Sequence, residues 1–331
     1  MRINSEKMLQ QTNSKVKTQI QKDHSFDVVL GFDMETDIGS YTPFYEGVQQ
    51  GTPLILEVLK KHGIPATFFW TGHAAENNPD MVVRVSRSGH ETGCHGLFHE
   101  TLGDPIFPLP NNWPILPSEV EGRLRQATEI IKNVTGVQPV SFRCPRLWGS
   151  TTVLNVLEKL GYVADASLPM YFYQNQIEPY YPSVTDWTAK GNMRILEIPN
   201  FCDMEMESGD PYQRDRDQWP LFRTQSAGFL MEKVTGFLNY VQAQDKRPVI
   251  CLYLHPWEFY PMPQGAIDFG ECSVKPLSFI VENCGPIAVR EFDLLCTMLG
   301  KAGARFITAG GLAGAYRLNK MQSSQTSTER V

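Results

Sequence analysis

The octapeptide GCHGLFHE at positions 93–100 places two histidines four residues apart, His95 and His99, straight after a run that reads as a strand. Imidazoles at this spacing can hold one divalent ion when a third ligand arrives from elsewhere in the chain; otherwise they are two ordinary side chains. The segment GFDMETD at 31–37 offers Asp33, Glu35 and Asp37 for that purpose. Alternate side chains of an extended strand share a face, so Asp33 and Glu35 point one way and Met34 the other. Two histidines and one carboxylate form a three-ligand set that leaves a position open for water. With Glu35 as the carboxylate, Asp33 is free to act as a base, and Asp37 is the competing ligand. Two further groups end apolar runs: Arg143 in FRCPRLWG and His255 in LYLHPWEF. Each group has a structural alternative, since acids after a strand often shape turns, an arginine can be ion-paired or solvated, and a histidine before proline can simply end a strand.

Four separate segments can deliver such groups to one place if they are strands of one sheet. Short β-rich runs alternate with helical patterns: DVVLGF before TPLILEVLKKHG, ATFFW before PDMVVRVSRSG, HETGCH before SEVEGRLRQATEIIKNVTG, and VSFR before STTVLNVLEKLG. The strand candidates YVADAS, RILEIP, PVICLYL and RFIT follow, with helices SAGFLMEKVTGFLNYVQAQ and IAVREFDLLCTMLGKAG between the later ones. This alternation predicts βα units and a mostly parallel sheet whose strand C-termini gather on one face. Gly63, Gly89, Gly136 and Gly161 stand where helix-ending glycines belong, and Ser118 with Glu121 reads as a capping box. Three stretches, 101–117, 169–192 and 256–285, are irregular and rich in proline and aromatics; Trp113, Tyr171, Tyr173, Tyr180, Tyr181 and Trp187 can face a substrate or fill satellite cores.

The 331 residues, 42% hydrophobic and 20% charged, supply ample core for a globular unit over 25–316. Residues 1–24 and 317–331 are polar and aperiodic and are expected to be a loose extension and a disordered tail. A net charge of −6 gives no basic footprint for nucleic acid or an anionic membrane. The 7 cysteines show no C-x-x-C pair, as expected of a reducing compartment. The N-terminus lacks an apolar leader core, and no run reaches the length of a membrane span, so the sequence predicts a cytoplasmic protein.

The ordered set GFDMETD, HGLFHE, FRCP and LYLHPWEF resembles the motifs of the NodB-homology polysaccharide deacetylase family, carbohydrate esterases that remove N- or O-acetyl groups. The resemblance covers about residues 28–310 and implies an α/β fold, a deformed (β/α)7 barrel of the glycoside hydrolase-deacetylase type. It implies that Asp33 is the catalytic aspartate, that His95 and His99 bind the ion, that Arg143 orients Asp33, and that His255 is the acid. The commonest first motif has two adjacent aspartates, whereas here Met34 separates Asp33 from Glu35, which leaves Asp37 in competition for the ligand role. The family's aspartate-tryptophan motif has one match, Asp186–Trp187. The forms H-G-x-x-H-E and H-P-W-E resemble the branch that also contains hydrolases of small cyclic amides.

The implied cofactor is a divalent metal, Zn²⁺ foremost, which can acidify water and polarise an acyl carbonyl. Asp33 would take the proton, and His255 would protonate the departing amine. The expected partner is an acetylated amino sugar or small amide, with no nucleic acid or membrane and with a homo-oligomer allowed. Hydrolysis of a cyclic amide, imide or ureide is the alternative reaction, and a silent carbohydrate-binding barrel is the non-enzymatic one.

Overall fold

The computed structural model of the chain describes residues 26–109 and 113–328; the extension expected over 1–24 lies outside them. Eight strands form one parallel sheet: β1 Phe26–Met34, β2 Thr67–Trp70, β3 Glu91–Cys94, β4 Ser141–Phe142, β5 Ala164–Asp165, β6 Leu196–Glu197, β7 Val249–Leu254 and β8 Ala304–Phe306. They coincide with the eight runs read from the sequence. β1 is the hub. It pairs along Asp27–Phe32 with β7 on one side, and on the other it meets β8 through Phe26–Val28 and β2 through Gly31–Met34. β8 therefore wedges in at the N-terminal end, while β1 to β7 make a seven-stranded barrel in sequence order. No ladder joins β6 to β7; just past β6, the Phe201 N–H donates to the Cys251 carbonyl at 2.9 Å and bridges that gap.

Period-two alternation explains why a strand as apolar as β1 can still present acids. Phe26, Val28, Leu30, Phe32 and Met34 pack outward into the main core beneath the surrounding helices. Val29 packs inward with Phe69, Ala164, Ala166, Leu196, Ile198, Val249 and Cys251. Asp33 and Glu35 continue this inward row. Gly31 lies in it too, where an added Cβ would sit 2.2 Å from Nη1 of Arg143; the missing side chain is the space the guanidinium fills. Gly63, Gly89, Gly136 and Gly161 all have positive φ, as their predicted role at helix ends requires.

Two expectations are corrected. Ser118 does not cap a helix: Pro117 starts a 3₁₀ turn over Pro117–Glu119, and the Glu119 carboxylate accepts the Leu116 N–H instead. The segment expected to be a disordered tail from 317 continues the helix Ala309–Thr328. Its start is anchored by Ala309, Leu312 and Ala313 in the barrel's inner cluster and by the Ala309 N–H on Thr67 Oγ1 at 2.9 Å. Of the irregular stretches, 169–192 joins the main core: Trp187 is buried against Gly149 and meets Tyr173 edge-on, and Tyr171 and Tyr180 are buried as well. No helix of the described residues is long and apolar enough to cross a membrane.

Candidate metal centre and active site

Asp33 and Glu35 reach the C-terminal mouth of the barrel from the end of β1, and both are buried. Arg143, fully buried past β4, donates from Nη1 to Asp33 Oδ1 at 2.9 Å and from Nε to the Ala166 carbonyl at 3.1 Å. Its Nη2 faces Asn200 Oδ1 at 3.3 Å and Cys251 Sγ at 3.4 Å, and the Phe69 ring lies under the guanidinium at 4.5 Å. One oxygen of Asp33 is thus tied to arginine, leaving Oδ2 turned toward His95 Nε2 at 3.9 Å.

The histidine loop supplies the other half. His95 Nδ1 donates to the Arg143 carbonyl at 2.8 Å; a carbonyl only accepts, so Nδ1 carries the proton and the Nε2 lone pair faces the site. His99 adopts φ 62°, a left-handed conformation rare outside glycine, and its Nε2 lies 2.6 Å from Glu35 Oε2. His95 Nε2 is 3.7 Å from the same oxygen. Glu35, His95 and His99 each offer a ligand atom within 4.8 Å of the others. Glu35 Oε1, His95 Nε2 and His99 Nδ1 are buried with no hydrogen-bond partner, a costly state unless something else satisfies such groups. Burial alone would raise Glu35, but the neighbouring histidines hold it well below the usual carboxylate range; burial brings His99 down to about 4. A carboxylate beside imidazole nitrogens is a donor set that suits a divalent cation.

Asp37 is not part of this set. Its carboxylate accepts the N–H of Gly47 at 2.9 Å and of Glu46 at 3.0 Å, clamping the loop after β1, and burial pushes it up to about 7. Asp186 is likewise spent locally, accepting from the Thr188 N–H at 3.0 Å and hydroxyl at 2.8 Å.

His255 closes the opposite side, with Nε2 4.0 Å from Glu35 Oε1. Its Nδ1 bonds Glu258 Oε1 at 3.0 Å, and Glu258 Oε2 accepts from Arg223 Nε at 2.6 Å. The ring stacks on Trp257 at 5.2 Å and meets Trp219 and Tyr253 edge-on. Burial would lower the imidazole, yet the Glu258 carboxylate outweighs it, so His255 is held above its ordinary value. Glu258, Arg223 and Asn200 are not among the residues singled out in the sequence. Only Glu258 carried a signal, three positions after His255 across a proline-started turn.

Beneath Arg143 lies a buried acid pair. Glu197 Oε1 accepts the N–H groups of Ser167 at 3.1 Å and Leu168 at 2.8 Å, while Asp165 Oδ1 accepts the Ser167 hydroxyl at 2.5 Å. Burial and the Asp165 charge push Glu197 well up, and burial takes Asp165 to about 6. The pair therefore shares a proton at neutral pH.

The arrangement can polarise an acyl group on a cation, accept a proton at Asp33 and return one from His255. Residues 11–164 match the family model of the polysaccharide deacetylases. A peptidoglycan deacetylase of Helicobacter pylori is 33% identical over 141 residues, 42% of this chain and 43% of its own length. The peptidoglycan-N-acetylmuramic acid deacetylase PdaA of Bacillus subtilis is 33% identical over 124 residues, 37% of this chain and 43% of its own. The chain thus spans less than half the length of these relatives. Among solved structures, the Puue allantoinase shares the fold with a TM-score of 0.59 at 14% identity, covering 90% of this chain and 92% of its own. A Mycobacterium smegmatis protein classed with the polysaccharide deacetylases does so at 0.58 and 18%, with the same coverage.

Proposed function

We propose that this chain, whose residues 11–164 match the family model of the polysaccharide deacetylases, is a metal-dependent hydrolase that removes acetyl groups from an acetylated amino sugar. The observation that carries this reading is the convergence of Glu35, His95 and His99, all buried, each with a ligand atom within 4.8 Å of the others. Asp33 approaches that set through His95, and His255 through Glu35. A divalent cation, Zn²⁺ foremost, would be held by those three residues and would supply Lewis-acid polarisation of the acyl carbonyl and acidification of water.

The chain's own residues do the rest. Asp33 accepts the proton of the attacking water at Oδ2, because Arg143 occupies Oδ1. His255 gives the Nε2 proton to the leaving nitrogen, which departs poorly as an anion. Glu258 keeps Nδ1 protonated and the ring in place, and Arg223 holds Glu258. Trp257, Trp219 and Tyr253 restrict the ring to one orientation, with Nε2 toward the site.

The test is acetate release from N-acetylglucosamine, its short oligomers and sugar conjugates, with and without a chelator, beside cyclic imides and ureides. Chelator-sensitive acetate release is the expected result. Ring opening of a cyclic amide without acetate from any sugar would move the activity to that class and leave the metal set standing. Full activity of a metal-free protein would overturn the mechanism.

A further inference from the structure

The irregular stretch 256–285 ends by wrapping a buried ion pair. The side chains of Arg223 and Glu258 are both fully enclosed, and Arg223 Nε donates to Glu258 Oε2 at 2.6 Å. The rest of the guanidinium turns to the end of the short helix Ser278–Val281: Nη2 donates to the Ile280 carbonyl at 2.6 Å, and Nη1 to the carbonyls of Phe279 at 3.3 Å and of Glu282. Carbonyls at a helix C-terminus lack main-chain partners within the helix and need donors from elsewhere. The segment answers with donors of its own. Asn283 Nδ2 bonds the Arg223 carbonyl at 2.9 Å from a left-handed φ of 58°, and the Gly285 N–H bonds the Glu258 carbonyl at 2.8 Å. Residues 279–285 thus clasp both members of the pair.

On its other side, Glu258 holds His255. Oε1 accepts from the His255 N–H at 2.9 Å and from Nδ1 at 3.0 Å. The indoles of Trp257 and Trp219, which contact the imidazole, also lie 5.8 and 5.9 Å from the guanidinium. Burial would raise Glu258, but the Arg223 charge, with His255, holds it below its ordinary value. An enclosed carboxylate deprived of its cation takes up a proton, and the neutral acid has no charge with which to hold the imidazole. We propose that Arg223 is a positioning residue for the acid: it anchors Glu258, and through it His255, to the segment Phe279–Gly285. The inference rests on the deacetylase reading for the role of His255 and deepens it by assigning a remote segment to the protonation of the leaving group.

Acetate release from N-acetylglucosamine and from p-nitrophenyl acetate is measured for the metal-loaded full chain, for Arg223→Gln and Arg223→Lys, and for each combined with His255→Ala. On the amide, Arg223→Gln should lower kcat about 10- to 100-fold with KM little changed, since the enclosed side chain acts through another residue. On the ester the loss should be far smaller, because that leaving group needs no proton. Arg223→Lys, which keeps the charge and loses the fork, should recover part of the amide rate. In the His255→Ala background neither substitution should lower the amide rate further, as expected of residues that act as one unit. Equal losses on amide and ester, or the same loss with and without His255, would overturn the proposal and leave Arg223 a prop of the fold. If Arg223→Gln does not fold, Arg223→Lys decides by the same two comparisons. The proton NMR signal of the His255 Nδ1–H, assigned by its absence in His255→Ala, is read without substrate and should be displaced or lost in the Arg223 variants. That displacement without acetate from the amide would sink the deacetylase reading and uphold the positioning role. An undisplaced signal would overturn the role whatever the activity.

Discussion

The Arg143 carbonyl accepts a hydrogen bond from His95 Nδ1 at 2.8 Å, while the same residue's guanidinium grips Asp33 at 2.9 Å. Backbone and side chain of one arginine thereby fix both the tautomer of a metal-facing histidine and the orientation of the proposed base. Substitution of the side chain leaves the first function intact, so Arg143→Lys should keep the cation while lowering turnover about 100-fold through a misplaced Asp33. Metal content measured beside kcat checks this, and loss of the ion would show that the two functions are not separable.

The carboxylates near the histidines should divide by role. Glu35→Ala, His95→Ala and His99→Ala should each lose the bound ion. Asp33→Asn should retain it and lower kcat about 10²- to 10⁴-fold. Asp37→Ala should also retain it, because that carboxylate is committed to Glu46 and Gly47. Elemental analysis of the purified variants distinguishes these cases, and an Asp37 variant without metal would reverse the assignment.

Gly31→Ala is the most economical test of the barrel interior. The new methyl group would lie 2.2 Å from Nη1 of Arg143, and the fully enclosed guanidinium has nowhere to retreat. The expected cost is about 1–3 kcal/mol of stability, read from a urea midpoint, together with reduced turnover. A neutral effect on both would mean that Arg143 is less confined than its packing indicates.

His255 must be protonated to serve as the acid, and Glu258 holds it above its ordinary value. Glu258→Gln should therefore draw the alkaline limb of the kcat profile to lower pH. His255→Ala should slow amide substrates about 10²- to 10⁴-fold and activated acetyl esters far less, since a good leaving group needs no proton. Equal losses on both substrate types would leave His255 a purely structural role.

Asp165 and Glu197 predict a pH effect on stability. Both have folded values raised above the ordinary carboxylate range, Asp165 to about 6. Their contribution is complete below that ordinary range and declines as pH rises through the raised values. Glu197→Gln imitates the protonated partner: its oxygen can keep the Ser167 and Leu168 N–H groups while its amide donates to Asp165. This variant should remain folded and flatten the decline above about pH 6. Urea midpoints across that range check it, and an undiminished slope would place the shared proton elsewhere.

The strands and the inward row of β1 were legible because period-two alternation and positive-φ glycines are local properties. Glu35 and Asp37 could not be separated that way. Both follow the strand, and what divides them is the pair of N–H groups of Glu46 and Gly47, brought round by the loop. Arg223 was illegible for a similar reason, as its meaning depends on a contact with Glu258 across 35 positions of chain. The helix Ala309–Thr328 was missed because composition describes what a segment does alone, whereas its first turn is held by the floor of the barrel.

Between β6 and β7 the ring lacks the ladder that joins its other strands, and Arg143 spans that seam. Its Nη2 reaches Asn200 on one side and both the Cys251 thiol and the Leu252 carbonyl on the other. The cylinder is thus fastened at this joint by a cation beside a single main-chain hydrogen bond, from the Phe201 N–H to the Cys251 carbonyl. The charge that readies Asp33 is also the rivet of the barrel, so chemical competence and mechanical closure stand or fall at the same atom group.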